Sequence, residues 1–170
     1  FTYPLLHVLV ATAGRPAGSA RDTARERGVA FLRRHRRDDG GCSIGAAASL
    51  EEGLEETLGK NGVSSNYRFD LAPKTWDFIR NTRSGTAVFT MPTGGVKCAG
   101  AGQKIAYLAS DYWRKQGVLK DIDVHLVVPG PRIFGIPGIA DNLDKVIADY
   151  GITLHTESEM TAVDAGARKV

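Results

Sequence analysis

The chain reads as an α/β fold, a parallel sheet whose strands are joined by crossover helices. Two observations carry that reading. Between Thr86 and Thr156 the pattern alternates strand, helix, strand, helix, strand, and that order at short spacing builds a parallel sheet through right-handed crossovers. Leu5 to Ala11 is an apolar run rich in Leu and Val rather than an alternating one, which suits a strand covered on both faces, and Val124 to Val128 reads as a second buried strand. The unit is of the dinucleotide-binding type.

Taken in chain order, Leu5 to Ala11 is the first strand, and Leu50 to Leu58 follows with helical spacing. Tyr67 to Phe69 is expected as a short extended piece. A helix runs from Ala72-Pro73 to about Asn81, with Pro73 suited to a first turn that needs no amide hydrogen. Ser84-Gly85 turns the chain into a strand from Thr86 to Met91. Gln103 to Gln116 is helical and Gly117 stops it. Asp121-Ile122-Asp123 leads into the buried strand Val124 to Val128. The next helix is Ile139 to Tyr150, stopped by Gly151, with a third strand at Ile152 to Thr156 and a fourth at Met160 to Val163. Trp76, Phe78, Tyr107, Tyr112 and Trp113 fall at helix-like spacings and are expected in the core.

With 170 residues and 42% hydrophobic composition, one core of ordinary size and one domain are the default. No run approaches the roughly eighteen consecutive apolar residues of a membrane span. The formal charge of +3 is unevenly spread. Residues 1–41 hold eight arginines, no lysine and four acids, while residues 42–170 carry fourteen bases against fifteen acids. The basic run Arg33-Arg34-His35-Arg36-Arg37 invites a nucleic-acid reading. Phe31 is the lone aromatic there and no binding fold surrounds it, so no nucleic-acid partner is expected. Asp22, Glu26, Asp38 and Asp39 also make it a poor transit peptide, since such segments are poor in acids.

Chemistry concentrates at Cys98, where the strand ending at Met91 turns through small residues into a helical pattern. Amides at a helix start and lysines on either side, Lys97 and Lys104, favour a thiolate. The competing reading is a small buried hydrophobe. Ala99, Gly100 and Ala101 allow a planar ligand or a backbone to come close. The nucleotide fingerprints fit badly. Gly100 and Gly102 match the first two glycines of G-x-G-x-x-G, but Ile105 occupies the third position, and Pro129-Gly130-Pro131 stands where an acid would meet a ribose. The phosphate loop fails too, because no lysine follows Gly100. No metal is expected, since Cys42 and Cys98 lie 56 positions apart with no flanking histidine. His125 and His155 are read as packing residues, and the glutamates at 51, 52, 55 and 56 as a solvated helix face.

Thr86-Ala87-Val88-Phe89-Thr90-Met91-Pro92 followed by Val96-Lys97-Cys98-Ala99-Gly100-Ala101-Gly102-Gln103-Lys104 resembles the sulfide:quinone oxidoreductases. The likeness continues through Tyr107 to Lys115, Ile133-Phe134-Gly135 and Tyr150 to Leu154. Upstream it takes in Glu52-Gly53-Leu54 and Gly59 to Tyr67. It covers about Leu50 to Val170, with a weaker likeness at Tyr3 to Gly14. Gly102 stands where the family usually has proline, which loosens the turn.

The resemblance implies a larger flavoprotein fold with two dinucleotide-binding domains. Residues 1–14 are then a remnant of the FAD-binding domain, and residues 50–170 a second, dinucleotide-binding-like domain truncated at its C-terminus. Residues 15–45 stand where the family has a short loop. They are expected to be an anomalous, disordered insert of the kind a translated intron gives. The implied catalytic residue is Cys98, carrying sulfide sulfur as a persulfide beside FAD, with Lys104, Ala11 and Gly14 as cofactor contacts. Cys42, inside the insert, does not replace the family's second redox cysteine. The implied partners are sulfide, a membrane quinone and a small sulfur acceptor, with membrane contact through C-terminal sequence absent here. A non-catalytic fragment and a flavin-free sulfurtransferase using Cys98 alone are the alternatives.

Overall fold

The computed structural model describes residues 7–11, 52–66, 68–93 and 98–170. Five strands, β1 (His7–Ala11), β2 (Val63–Ser65), β3 (Gly85–Thr90), β4 (Ile122–Val127) and β5 (Thr153–His155), form one sheet in the order β2-β1-β3-β4-β5. The helices are α1 (Leu54–Thr57), α2 (Ala72–Asn81), α3 (Ala99–Lys115) and α4 (Pro137–Tyr150), with a 3₁₀ turn at Leu119–Asp121. The chain is therefore α/β, with β3, β4 and β5 parallel as their helical crossovers require.

The sheet is mixed rather than wholly parallel. β1 runs antiparallel to both β2 and β3, with Val8 opposite Phe89 and Ala11 opposite Thr86. An apolar run in an interior strand tells of two covered faces and not of direction, so periodicity could not set its sense. Residues 15–45, and Gly14 with them, lie outside the described residues.

Alternate residues of β3 and β4 feed two cores. Ala87, Phe89, Ile122, Val124 and Leu126 face α2, α3 and α4, where Ile79, Ala106, Ala109, Trp113, Ala140 and Ile147 meet them. Val88 and Val127 face the other way, against Leu54, Val63, Met160, Val163 and Val170. Both faces of the central strands are thus covered where Ala87-Val88-Phe89 and Leu126-Val127-Val128 run apolar without a break. Trp113 anchors the larger core: it is fully buried and its indole Nε1 donates to the Ile79 carbonyl at 2.8 Å. Trp76 departs from the core expectation, being 47% exposed and set edge-on to Tyr112 with ring centroids 4.9 Å apart.

Three elements differ from their sequence expectations. Leu50 and Glu51 lie outside the described residues; of the helix expected over Leu50 to Leu58, the described part is helical at Leu54–Thr57, since Gly53 is left-handed (φ 77°) and Glu52 pairs with the C-terminal segment. That segment is not a fourth strand. Met160 to Val163 makes only an isolated parallel bridge, with the Glu52 amide donating to Thr161 and the Val163 amide to Glu52. Extended structure lies at Val63–Ser65 rather than at Tyr67 to Phe69; Tyr67 is outside the described residues, and Arg68 to Asp70 turn into α2 with Phe69 exposed. The other elements stand within a few residues of expectation. Pro73 lies in the first turn of α2, and Gly117 (φ 72°) and Gly151 (φ 68°) follow α3 and α4 in the left-handed conformation that residues with a Cβ avoid.

Candidate functional site

In a parallel α/β sheet the crevice for chemistry opens beyond the C-terminal ends of the strands. Here β3 and β4 end side by side, and the ladder extends one step past them through the Met91 amide to Val127 O, 2.9 Å. The segment after β3 leads to α3, and the segment after β4, residues 128–136, leads to α4. The segment after β3 ends at Cys98, directly before α3.

Cys98 is itself the residue that opens α3. Its backbone is extended (φ −140°, ψ 95°), its side chain makes no capping bond, and its carbonyl accepts the Ala101 amide at 3.1 Å. The helix begins at Ala99, not at Gln103, so the small residues form its first turn rather than a preceding loop. Gly102, in the position of the family's proline, is the fourth helical residue and is buried. The thiol is free and exposed, which decides against the buried-hydrophobe reading. The partial positive charge of the α3 N-terminus lies beside it. Among the described residues nothing comes within 4 Å of where a Cβ on Gly100 would stand.

The other expected site residues are distributed unevenly. Lys104 is on α3 and exposed, but at 3.6 residues per turn it lies about 9 Å along the axis and about 120° around it from Cys98. Ala11 is the last residue of β1 and pairs with Thr86 at the beginning of β3. It therefore sits about 13 Å from the strand end that leads to Cys98, and β1 in this direction does not bring the two together. Gly14 and Lys97 lie outside the described residues.

Gln103 had no role in the sequence reading. It is 2% exposed; its amide Nε2 donates to Ala99 O at 3.1 Å and to Ile133 O at 3.3 Å, and its Oε1 accepts the Tyr107 hydroxyl at 2.9 Å. The Tyr107 phenol is pushed up to about 12 by burial first and then by the Asp144 carboxylate, so it keeps the proton it donates. Gln103 thereby ties the residue after the thiol to the segment that follows β4. The Arg132 guanidinium holds that segment to α4 as well, bonding Asp141 at 2.6 Å and Asp144 at 3.1 Å. A signal was present: Gln103, Ala106, Ser110 and Trp113 recur at helical spacing, which puts two polar side chains, Gln103 and Ser110, on a buried face.

The sheet also assembles a histidine pair that spacing did not show. His125 Nδ1 and His155 Nε2 are 3.0 Å apart, on adjacent parallel strands. The ring centroids are 5.3 Å apart with planes 23° from parallel. That centroid distance is the N···N distance plus one ring radius at each end, so the nitrogens point at one another in an N–H···N hydrogen bond. Both imidazoles are held below the usual histidine value by burial, His125 further by the neighbouring His155 and in the opposite sense by Asp123. Among the described residues no group of three or more His, Cys, Asp or Glu is placed to hold a metal ion. No helix among them is long and apolar enough to cross a membrane.

No family model matches the chain. Curated relatives do. It is 37% identical over 119 residues to the mitochondrial sulfide:quinone oxidoreductase of Dictyostelium discoideum, which covers 69% of this chain and 26% of the relative. It is 33% identical over 112 residues to the enzyme of that name from Mus musculus, covering 66% and 25%. The match to that of Schizosaccharomyces pombe is 37% over 128 residues, 74% of this chain and 28% of the relative. The chain thus spans about a quarter of the length of the relatives it matches. Over the part it shares with them, this chain is a sulfide:quinone oxidoreductase-like protein.

Proposed function

We propose that the chain supplies the sulfur-carrying thiol of a sulfide:quinone oxidoreductase. The observation that carries this reading is Cys98, free and exposed at the opening of α3, beyond the end of β3. A thiolate is the nucleophilic form of cysteine, and an exposed thiol is within reach of a reactant. Cys98 Sγ would bond sulfide sulfur as a persulfide with loss of two electrons to a bound flavin and of the displaced protons to solvent, and a small nucleophilic acceptor would then take the outer sulfur and leave the cysteine thiol, with the side of the turn at Gly100 as the approach.

FAD fits this arrangement in two respects: the exposed thiol and the open side of the first helical turn leave room for a planar ring. A bound flavin would supply the two-electron oxidant for that S–S bond and the route of the electron pair to a quinone. Lys104 is the contact proposed from α3, a cation for the anionic reduced ring. Ala11 and Gly14 are proposed as a second contact at the end of β1, and the pairing of Ala11 with Thr86 counts against their sharing a contact with Cys98. Sulfide, a membrane quinone and a membrane-associated location belong to the same reading, and the names of the relatives support them.

Two measurements test it. Treating the chain with polysulfide and mapping the modified peptide should find one added sulfur on Cys98, and none on that peptide in Cys98→Ser. In a full-length enzyme carrying this sequence, Cys98→Ser should abolish sulfide-dependent quinone reduction; reduction at an unchanged rate would refute the proposal.

A further inference from the structure

We infer that Gln103 is a positioning residue that holds the thiol-bearing turn against the segment after β4, making the backbone around Ile133 the second wall of the crevice Cys98 faces. Four observations combine. The Gln103 side chain is 2% exposed, yet both ends of its amide are bonded. Its Nε2 reaches two carbonyls 34 residues apart in sequence, Ala99 beside the thiol and Ile133 in the neighbouring βα connection. Tyr107, one turn along α3, orients the amide by donating to Oε1, which leaves Nε2 as the end that faces the two carbonyls. The segment holding Ile133 has other fastenings as well, Arg132 to α4 and the Glu157 amide to Gly130 O at 2.9 Å, while Gln103 bonds it to the first turn of α3 that Cys98 opens.

A buried amide that served packing alone would not need one carbonyl from its own helix start and one from the connection after β4, and an apolar side chain of the same length would serve as well. What the amide adds is a fixed distance between the two walls. Access to the Sγ atom and the orientation of the first turn of α3 then depend on a side chain that need not touch the substrate.

The inference rests on the reading of Cys98 as the sulfur-carrying thiol, but its test uses no sulfur chemistry. In a Cys42→Ser background, the rate of Cys98 alkylation by iodoacetamide and the hydrogen exchange of the 130–136 amides are compared for the parent, Gln103→Met, Gln103→Glu and Tyr107→Phe. Gln103→Met, similar in shape but without donors, should speed exchange of the 130–136 amides at least about fivefold, the opening expected when one ordinary buried hydrogen bond is lost. It should also raise the alkylation rate by about threefold through freer access. Gln103→Glu should match the parent at low pH, where its protonated carboxyl can donate, and approach Gln103→Met as that proton is lost. A merely structural role would not produce this pH step. Tyr107→Phe should give a smaller change of the same sign, and it keeps the test decisive if Gln103→Met does not fold. Parent-like alkylation in the folded Gln103 variants, or in Tyr107→Phe where those do not fold, would overturn the inference. Persulfide chemistry failing at Cys98 while these effects persist would remove the functional reading and leave the positioning role standing.

Discussion

His125 Nδ1 and His155 Nε2 meet at 3.0 Å across β4 and β5, with their rings nearly in line. One nitrogen must donate and the other accept, so the contact suits neutral imidazoles, and burial lowers the affinity of both for a proton. Asp123 works in the opposite direction on His125 without reversing the shift.

The pH dependence of stability follows in sign. The unfolded chain takes up protons on both histidines near 6.5, before the native pair does. The native state therefore keeps the full contribution above that pH and loses it progressively as pH falls below. Urea midpoints measured at descending pH should decline from about 6.5 downward, and the double variant His125→Gln, His155→Gln should show a shallower decline. Identical slopes in the two proteins would count against the neutral pair.

Cys98→Ser should leave stability within about 0.5 kcal/mol of the parent, because the side chain is exposed and makes no capping bond. Equilibrium unfolding checks this alongside the persulfide assay. A large loss of stability would mean that the thiol has a packing role after all.

Gly53 and Gly117 share a positive φ, 77° and 72°, in different surroundings. A Cβ on Gly53 would stand 2.2 Å from Val163 O, whereas one on Gly117 would meet nothing within 4 Å. Gly117→Ala should cost about 1 kcal/mol, the conformational term alone. Gly53→Ala should cost distinctly more, about 3 kcal/mol, because the pairing of Glu52 with Val163 must shift as well. Equal losses in denaturant titrations would refute the steric argument.

Ser110 is fully buried on α3 and its Oγ has no hydrogen-bond partner. An unpaired buried hydroxyl is unfavourable, and alanine is the better helix former. Ser110→Ala should therefore raise stability by about 1 kcal/mol, read as a higher urea midpoint. A clear loss would show that the hydroxyl is satisfied.

The sequence by itself determined the helical crossovers, the parallel strands from Thr86 onward, and the thiol at a strand-to-helix turn. Each is written in local terms: apolar runs, a proline at a helix start, glycines at helix ends, and a cysteine followed by small residues. Tertiary structure decided what local terms leave open. The direction of β1 depends on which strand it meets, since its apolar run suits either sense, and that choice sent Ala11 to the far end of β3 from Cys98. The bridge between Glu52 and Thr161 to Val163 shortened one expected helix and replaced one expected strand, because contacts between residues more than a hundred positions apart outweighed spacing. Gln103 was visible only as a polar residue on an inward face, and His125 and His155 only as two unrelated packing residues. Strand register and helix packing supplied their partners, since a hydrogen bond between distant residues exists only once the backbone has brought them within reach.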